Sequence, residues 1–141
     1  VTPPEVPLHI REDFSEAAAV LFISEKASAA LSRRCLQNIL NEQIGKRKDL
    51  STQIDEAIKT LPTRIGENLD AIRTVGNYAT HPMKVESTGT IVDVEPEEAN
   101  WTLDVLEELM DYYVAPKKAE EKRKKLDEKL KSIGKPSMKK P

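Results

Sequence analysis

The sequence predicts an all-α fold, a compact four- or five-helix bundle with a lysine-rich C-terminal helical tail. Three observations predict it. Apolar residues recur at intervals of three and four along most of the chain, the spacing that lines one face of a helix. Gly45, Pro62, Pro82 and Pro96 punctuate those stretches where helices should stop or start. The only strand-like text is Thr90 to Val94 after a Thr88-Gly89 turn, too short for an independent sheet.

Three prolines within residues 1–9 remove backbone donors and fix φ, which predicts an extended arm ending near His9. Ile10, Phe14, Ala17 and Leu21 mark a first helix over about residues 11–22. Ser24 suits the N-cap of a second, whose apolar side carries Ala27, Leu31, Cys35, Ile39 and Ile44, and Gly45 supplies a left-handed stop. Asp49 or Ser51 caps a third helix carrying Leu50, Ile54, Ala57, Ile58 and Leu61, and Pro62 ends it. Ile65, Leu69, Ile72, Val75 and Ala79 give a fourth that stops at or before His81, because Pro82 disfavours helical backbone in the residue before it. Gly76 would weaken that helix by about 1 kcal/mol in isolation, so close approach of a neighbouring helix or of a substrate backbone is expected there. Residues 83–95 read as a loop with a short hairpin. Pro96 in a first turn beside Glu95, Glu97 and Glu98 opens a fifth helix, with Ala99, Leu103, Leu106, Met110 and Tyr113 on its apolar face.

Beyond Pro116 the pattern changes. Residues 117–133 are helical by propensity but offer only Ala119, Leu126, Leu130 and Ile133 as anchors, so the segment could pack weakly on the body, form a short coiled coil or stay solvated. The organisation read from sequence is therefore an arm over 1–9, a bundle over 10–115 and a basic helical or partly disordered tail over 116–141. Charge divides along the same line. Residues 117–141 carry eleven Lys and Arg against four Asp and Glu, a net +7, so the other 116 residues must sum to −9 for the whole chain to carry −2.

One cysteine excludes an internal disulfide, and Cys35 among Leu31, Leu36 and Ile39 reads as a small buried side chain in a reducing compartment. No apolar run approaches the roughly 20 residues that span a bilayer, and the N-terminus lacks the order of a signal peptide, so a cytoplasmic protein without a membrane partner is expected. The chain begins without methionine, which fits a processed product or a piece of something longer. Phosphate-binding glycine loops, HExxH, paired CxxC, nucleophile elbows and calcium loops are all absent from the sequence, so several enzyme classes drop out and neither metal nor cofactor is expected.

The remaining constellation is Arg73, Asn77 and His81. At 100° per residue, Asn77 lies roughly 40° and His81 about 80° round the helix from Arg73, so the three can share one face beside the apolar stripe. There a guanidinium, an amide and an imidazole could meet a phosphate or carboxylate. A structural reading competes with this one. It makes His81 a C-cap, pairs Arg73 with acids on the first or fifth helix, and has Asn77 satisfy backbone near Gly76. Arg33 and Arg34 are further candidate phosphate contacts, although one of an adjacent pair must point away from any given surface. Lys122, Arg123, Lys124 and Lys125 could bind RNA or DNA through counterion release, but they lack interleaved aromatics for stacking, and a solvated extension is the competing reading. Trp101, Tyr112 and Tyr113 read as core or interface packing.

Taken together, Phe14 to Ala17, Ser28 to Leu36, Ile72-Arg73 with Gly76-Asn77 and Thr80-His81-Pro82, and Glu98-Ala99 resemble the bacterial domain-of-unknown-function family numbered 4145, over about residues 8–114. That family is grouped with HEPN helical bundles. The resemblance implies a bundle that is often dimeric, set in prokaryotic defence, restriction or toxin-antitoxin systems, and in many HEPN proteins a metal-independent ribonuclease. Transferred here, it makes Arg73 the phosphate-binding group, His81 the general acid or base and Asn77 the residue that orients one of them. Seven residues separate Arg73 from His81, where the family's active motif has four to six. Two functions follow as expectations. One is a dimerising interaction module attached to, or acting beside, a nucleic-acid-processing or defence system, with a partner protein or fused effector domain. The other is an endoribonuclease built across a homodimer interface.

Overall fold

Local sequence signals set most of the helix boundaries. The structure is a computed structural model that describes residues 2–81 and 83–139. Val1, Pro82, Lys140 and Pro141, onto which parts of the expected arm, turn and tail fall, lie outside the described residues. Five helices follow in order: α1 Leu8–Val20, α2 Glu25–Ile44, α3 Leu50–Ile58, α4 Thr63–Thr80 and α5 Pro96–Ser132. The all-α bundle expected from the periodicity is the observed fold.

α1 begins earlier than expected. Pro7 is its N-cap, and the Pro7 carbonyl accepts from the backbone of Ile10 and Arg11, so the arm ends before His9. A proline there costs no hydrogen bond, because the first amides of a helix have no intrahelical partner. Ser24 caps α2 by accepting from the Ala27 amide at 3.1 Å. Gly45 ends α2 with φ +82°, a left-handed conformation that suits a residue without Cβ. Of the two candidate caps for α3, Asp49 is the one used, accepting from both the amide and the hydroxyl of Thr52 at 2.8 Å. These bonds hold the exposed Asp49 carboxyl below its ordinary value. α3 stops at Ile58, yet Leu61 stays buried in the turn that follows. The expected hairpin is one isolated antiparallel bridge, Lys84 to Ile91, and Lys26 ties its far side to α2 through Asp93 at 3.2 Å.

α2 is the central element, packed against each of the other four. Leu36, Leu40, Leu69, Leu106 and Leu109 are fully buried between α2, α4 and α5, each worth roughly 1.5–3 kcal/mol of burial. Toward α1, α2 presents small residues, so the two backbones approach closely enough for the Ser28 hydroxyl to donate to the Ala17 carbonyl at 2.8 Å. Cys35 lies on the same side, fully buried, with its thiol toward the Ile10 carbonyl. Gln53 closes the α2–α3 corner, donating to Asn41 at 2.7 Å and to the Gly45 carbonyl at 3.0 Å.

α5 passes through Pro116 without ending, although a proline removes one helical donor. Val114 is its last buried residue. The 18 residues from Ala115 to Ser132 leave the bundle, a projection of about 27 Å at 1.5 Å per residue. Trp101, expected inside or in an interface, is 42% exposed. No described helix is long and apolar enough to cross a membrane.

Candidate functional site

The C-terminal half of α4 holds Arg73 and Asn77, with His81 just past its end, and its position is set by Gly76. A Cβ on Gly76 would lie 2.6 Å from the Arg33 Cβ and 2.9 Å from its Cδ, so α2 and α4 meet here at a distance only glycine allows. The close approach expected at Gly76 is therefore to a neighbouring helix, and the group that lies over it is the aliphatic stem of Arg33. The Arg33 Nε is buried there without a hydrogen-bond partner. Arg34 diverges to the other side of α2, its Nε 3.6 Å from Asp13 of α1. The adjacent arginines thus serve two different helix contacts and do not form one basic patch.

Arg73 is engaged. Its Nε donates to Asp70 Oδ1 at 2.7 Å and its Nη2 to Asp70 Oδ2 at 3.1 Å, a two-pronged pair one turn back on the same helix. The Asp70 hydrogen bonds raise the guanidinium above its ordinary value, partial burial opposes them, and the charges of Asp70, Asp55 and Asp49 add to the rise. Its acidic surroundings come from α4 and from α3 with its cap, and not from the first or fifth helix as the structural reading of the sequence expects. An aspartate three residues before an arginine is a readable helical pair, and it is the signal that finds this partner.

His81 is the C-cap of α4, exposed, with extended backbone at φ −126° and ψ 111°. Its amide donates to the Asn77 carbonyl at 2.8 Å. The cap role that the structural reading gives it is the role it fills, and the backbone of Asn77 is what supports it. Arg73 and His81 stand about 12 Å apart along the axis by rise alone. The Asp70 pair draws the guanidinium toward the start of α4, away from His81. A phosphate held by both groups would require Arg73 to exchange Asp70 for the ligand.

A buried polar cluster that sequence reasoning missed lies between α1 and α2. Asp13 is 6% exposed, accepts from Asn38 Nδ2 at 2.7 Å and faces Arg34. Its charge and, more strongly, burial push the neighbouring Cys35 thiol up to about 12, which keeps the sulfur protonated and a poor nucleophile.

Lys122, Arg123, Lys124 and Lys125 are all exposed on the projecting half of α5. Four consecutive helical positions spread over roughly 300° of circumference, so they form a positive collar and not a single basic face. Arg123 also donates to the Lys139 carbonyl at 2.5 Å, where residues 135–139 turn back along α5.

No curated protein and no solved structure matches the chain. A family model does match, over residues 15–133, and the match takes in the projecting half of α5 as well as the bundle. It begins later and runs further than the resemblance over about residues 8–114. With most of its length so matched, the chain belongs to the family described as Domain of unknown function (DUF4145).

Proposed function

We propose that this chain is a dimerising helical interaction module that works in the cytoplasm beside a prokaryotic nucleic-acid-processing or defence system, with the projecting half of α5 as its contact arm. The observation that carries this reading is the separation of charge. An acidic bundle ends at Val114, and a helix bearing Lys122, Arg123, Lys124 and Lys125 stands clear of it in solvent. A polyanion could reach that helix without approaching the acidic body, and its phosphates would displace condensed counterions. The partners that fit are RNA or DNA along the arm and a partner protein or fused effector domain on the bundle. The endoribonuclease reading has less support, because the group it needs for phosphate is held by Asp70.

The test is binding of labelled RNA and duplex DNA by the intact chain across a salt series. Replacing Lys124 and Lys125 by Gln should lower the slope of log affinity against log salt by roughly 0.9 for each phosphate that is no longer neutralised. An unchanged slope removes the arm from nucleic-acid binding. The same RNA incubated in EDTA with the wild type and with an Arg73→Ala, His81→Ala variant decides the enzymatic question. Cleavage by the wild type alone would reinstate the ribonuclease and displace the module reading.

A further inference from the structure

The projecting part of α5 has an apolar ladder that nothing in its own bundle can cover. Ala119, Arg123, Leu126, Leu130 and Ile133 follow one another at intervals of four, three, four and three, the a and d spacing of a two-stranded coiled coil. Leu126 is 47% and Ile133 60% exposed, and Leu130 is partly so. At 100° per residue the centre of this ladder lies roughly 150° round the helix from the centre of the stripe that Ala99 to Val114 bury in the bundle. The ladder therefore faces away from its own body. A helix laid along it would meet no obstruction from α1 to α4.

The flanks of the ladder say which helix fits. Glu120 and Asp127 occupy the e positions on one side, and Lys122 and Lys129 the g positions on the other. In a parallel pair, g of one strand faces e of the next heptad in its partner, so Lys122 meets the partner's Asp127, twice by symmetry. An antiparallel pair would set Lys against Lys and carboxylate against carboxylate. The returning C-terminal segment leaves Leu126 and Ile133 exposed. It lies on the e side, roughly 40–80° round the helix from the ladder's centre, where Arg123 donates to the Lys139 carbonyl and the Met138 amide to Asp127 Oδ1 at 3.1 Å. Pairing exchanges these two contacts for the partner helix.

We infer that two copies of this chain associate through a parallel two-stranded coiled coil along residues 119–133, with their bundles on opposite outer sides. This inference rests on the dimerising-module reading and names the surface that carries it. Arg123 at an a position disfavours larger assemblies and other registers, as a single polar residue in a short seam does.

Sedimentation equilibrium of the full chain tests it through charge exchange. Lys122→Glu alone and Asp127→Lys alone should each weaken the dimer by about tenfold, and the two together should restore it to within about threefold. A residue that only supported its own helix would show no such restoration. Orientation is read with Ile133→Cys, since the native thiol of Cys35 is fully buried and cannot compete. In the parallel pair the two new thiols face each other and form a disulfide-linked dimer under mild oxidation. In an antiparallel pair they lie about 21 Å apart along the axis, and the absence of a disulfide would overturn the parallel arrangement. A wild type that stays monomeric at its highest soluble concentration overturns both this inference and the dimerising reading. A wild-type dimer unaffected by either charge change overturns the inference alone and places the interface on the bundle.

Discussion

Gly76 and Arg33 fix how closely α2 and α4 pack, because the space a Cβ at position 76 would need is already filled by the Cβ of Arg33, 2.6 Å away. Gly76→Ala should gain about 1 kcal/mol of helix propensity and still lose stability overall, since overpacking a close helix contact costs about 1–3 kcal/mol and the nearest blocking atom, the Arg33 Cβ, cannot swing away as the rest of the side chain can. Adding Arg33→Ala should recover only part of the loss. It removes the Cγ and Cδ contacts but keeps the Cβ. Urea denaturation of the two single variants and the double variant measures this, and full recovery in the double would show that only the flexible end of Arg33 was in the way.

Asp13 tests the polar cluster between α1 and α2. With the carboxylate removed in Asp13→Ala, the Asn38 amide loses the acceptor it holds at 2.7 Å in a part-buried site. The expected loss is about 1–3 kcal/mol, the range for leaving a buried donor unsatisfied. Asn38→Ala combined with Asp13→Ala should cost less than the sum of the two single changes, because the two groups satisfy each other. Additive losses in thermal denaturation would mean that the pair does not act as a unit.

These contacts show what is legible in the sequence. The helices are readable because their signals are local, such as the Ser24 cap, the left-handed Gly45 and the three-four spacing along α4. The start of α1 is misplaced when proline is weighed as a breaker, because Pro7 occupies a position at the helix start where its missing donor does no harm. Passage of α5 through Pro116 is not legible, since a proline costs about 3 kcal/mol inside a helix and the apolar anchors beyond it are few. Helix-forming residues and Glu-to-Lys pairs four apart, Glu120 with Lys124 and Glu121 with Lys125, favour the continuation. At the candidate site, periodicity can place Arg73, Asn77 and His81 on one face. The three-residue spacing from Asp70 offers the guanidinium its partner, but nothing in the pattern says that the neighbour requiring Gly76 is Arg33, because that depends on how two distant segments cross.

Cys35 gives a pH dependence with a definite sign. Its folded-state value is about 12 against an ordinary 9.0, so the neutral thiol is favoured in the fold. The stability this contributes is fully present below 9.0 and is lost as pH rises toward 12, because the unfolded chain releases the proton first. In that window the stability of the wild type should fall faster than that of Cys35→Ala, by up to about 1.4 kcal/mol per pH unit. Parallel pH profiles for the two proteins in urea denaturation would remove the thiol as the cause. Thiol reagents should likewise react with Cys35 at the rate of global unfolding.

The last prediction concerns how α5 divides its work. Among the described residues, the side-chain hydrogen bonds and ion pairs of residues 117–139 stay within that segment, as in Arg123 to Lys139 and Lys131 to Asp127. Little apolar surface beyond Val114 is covered by the bundle. Deleting residues 117–141 therefore removes mostly solvated helix and should leave the urea m-value of the body nearly unchanged, since m follows the surface exposed on unfolding. A new chain terminus at the end of α5 sets a carboxylate against the negative pole of the helix, which costs roughly 0.3–1 kcal/mol and lowers the melting temperature by a few degrees. In the same truncated protein, self-association and salt-dependent binding of nucleic acid should both disappear. Retained folding without either activity would separate the stabilising half of α5 from its working half, whereas a collapse of the m-value would show that the projecting half belongs to the core.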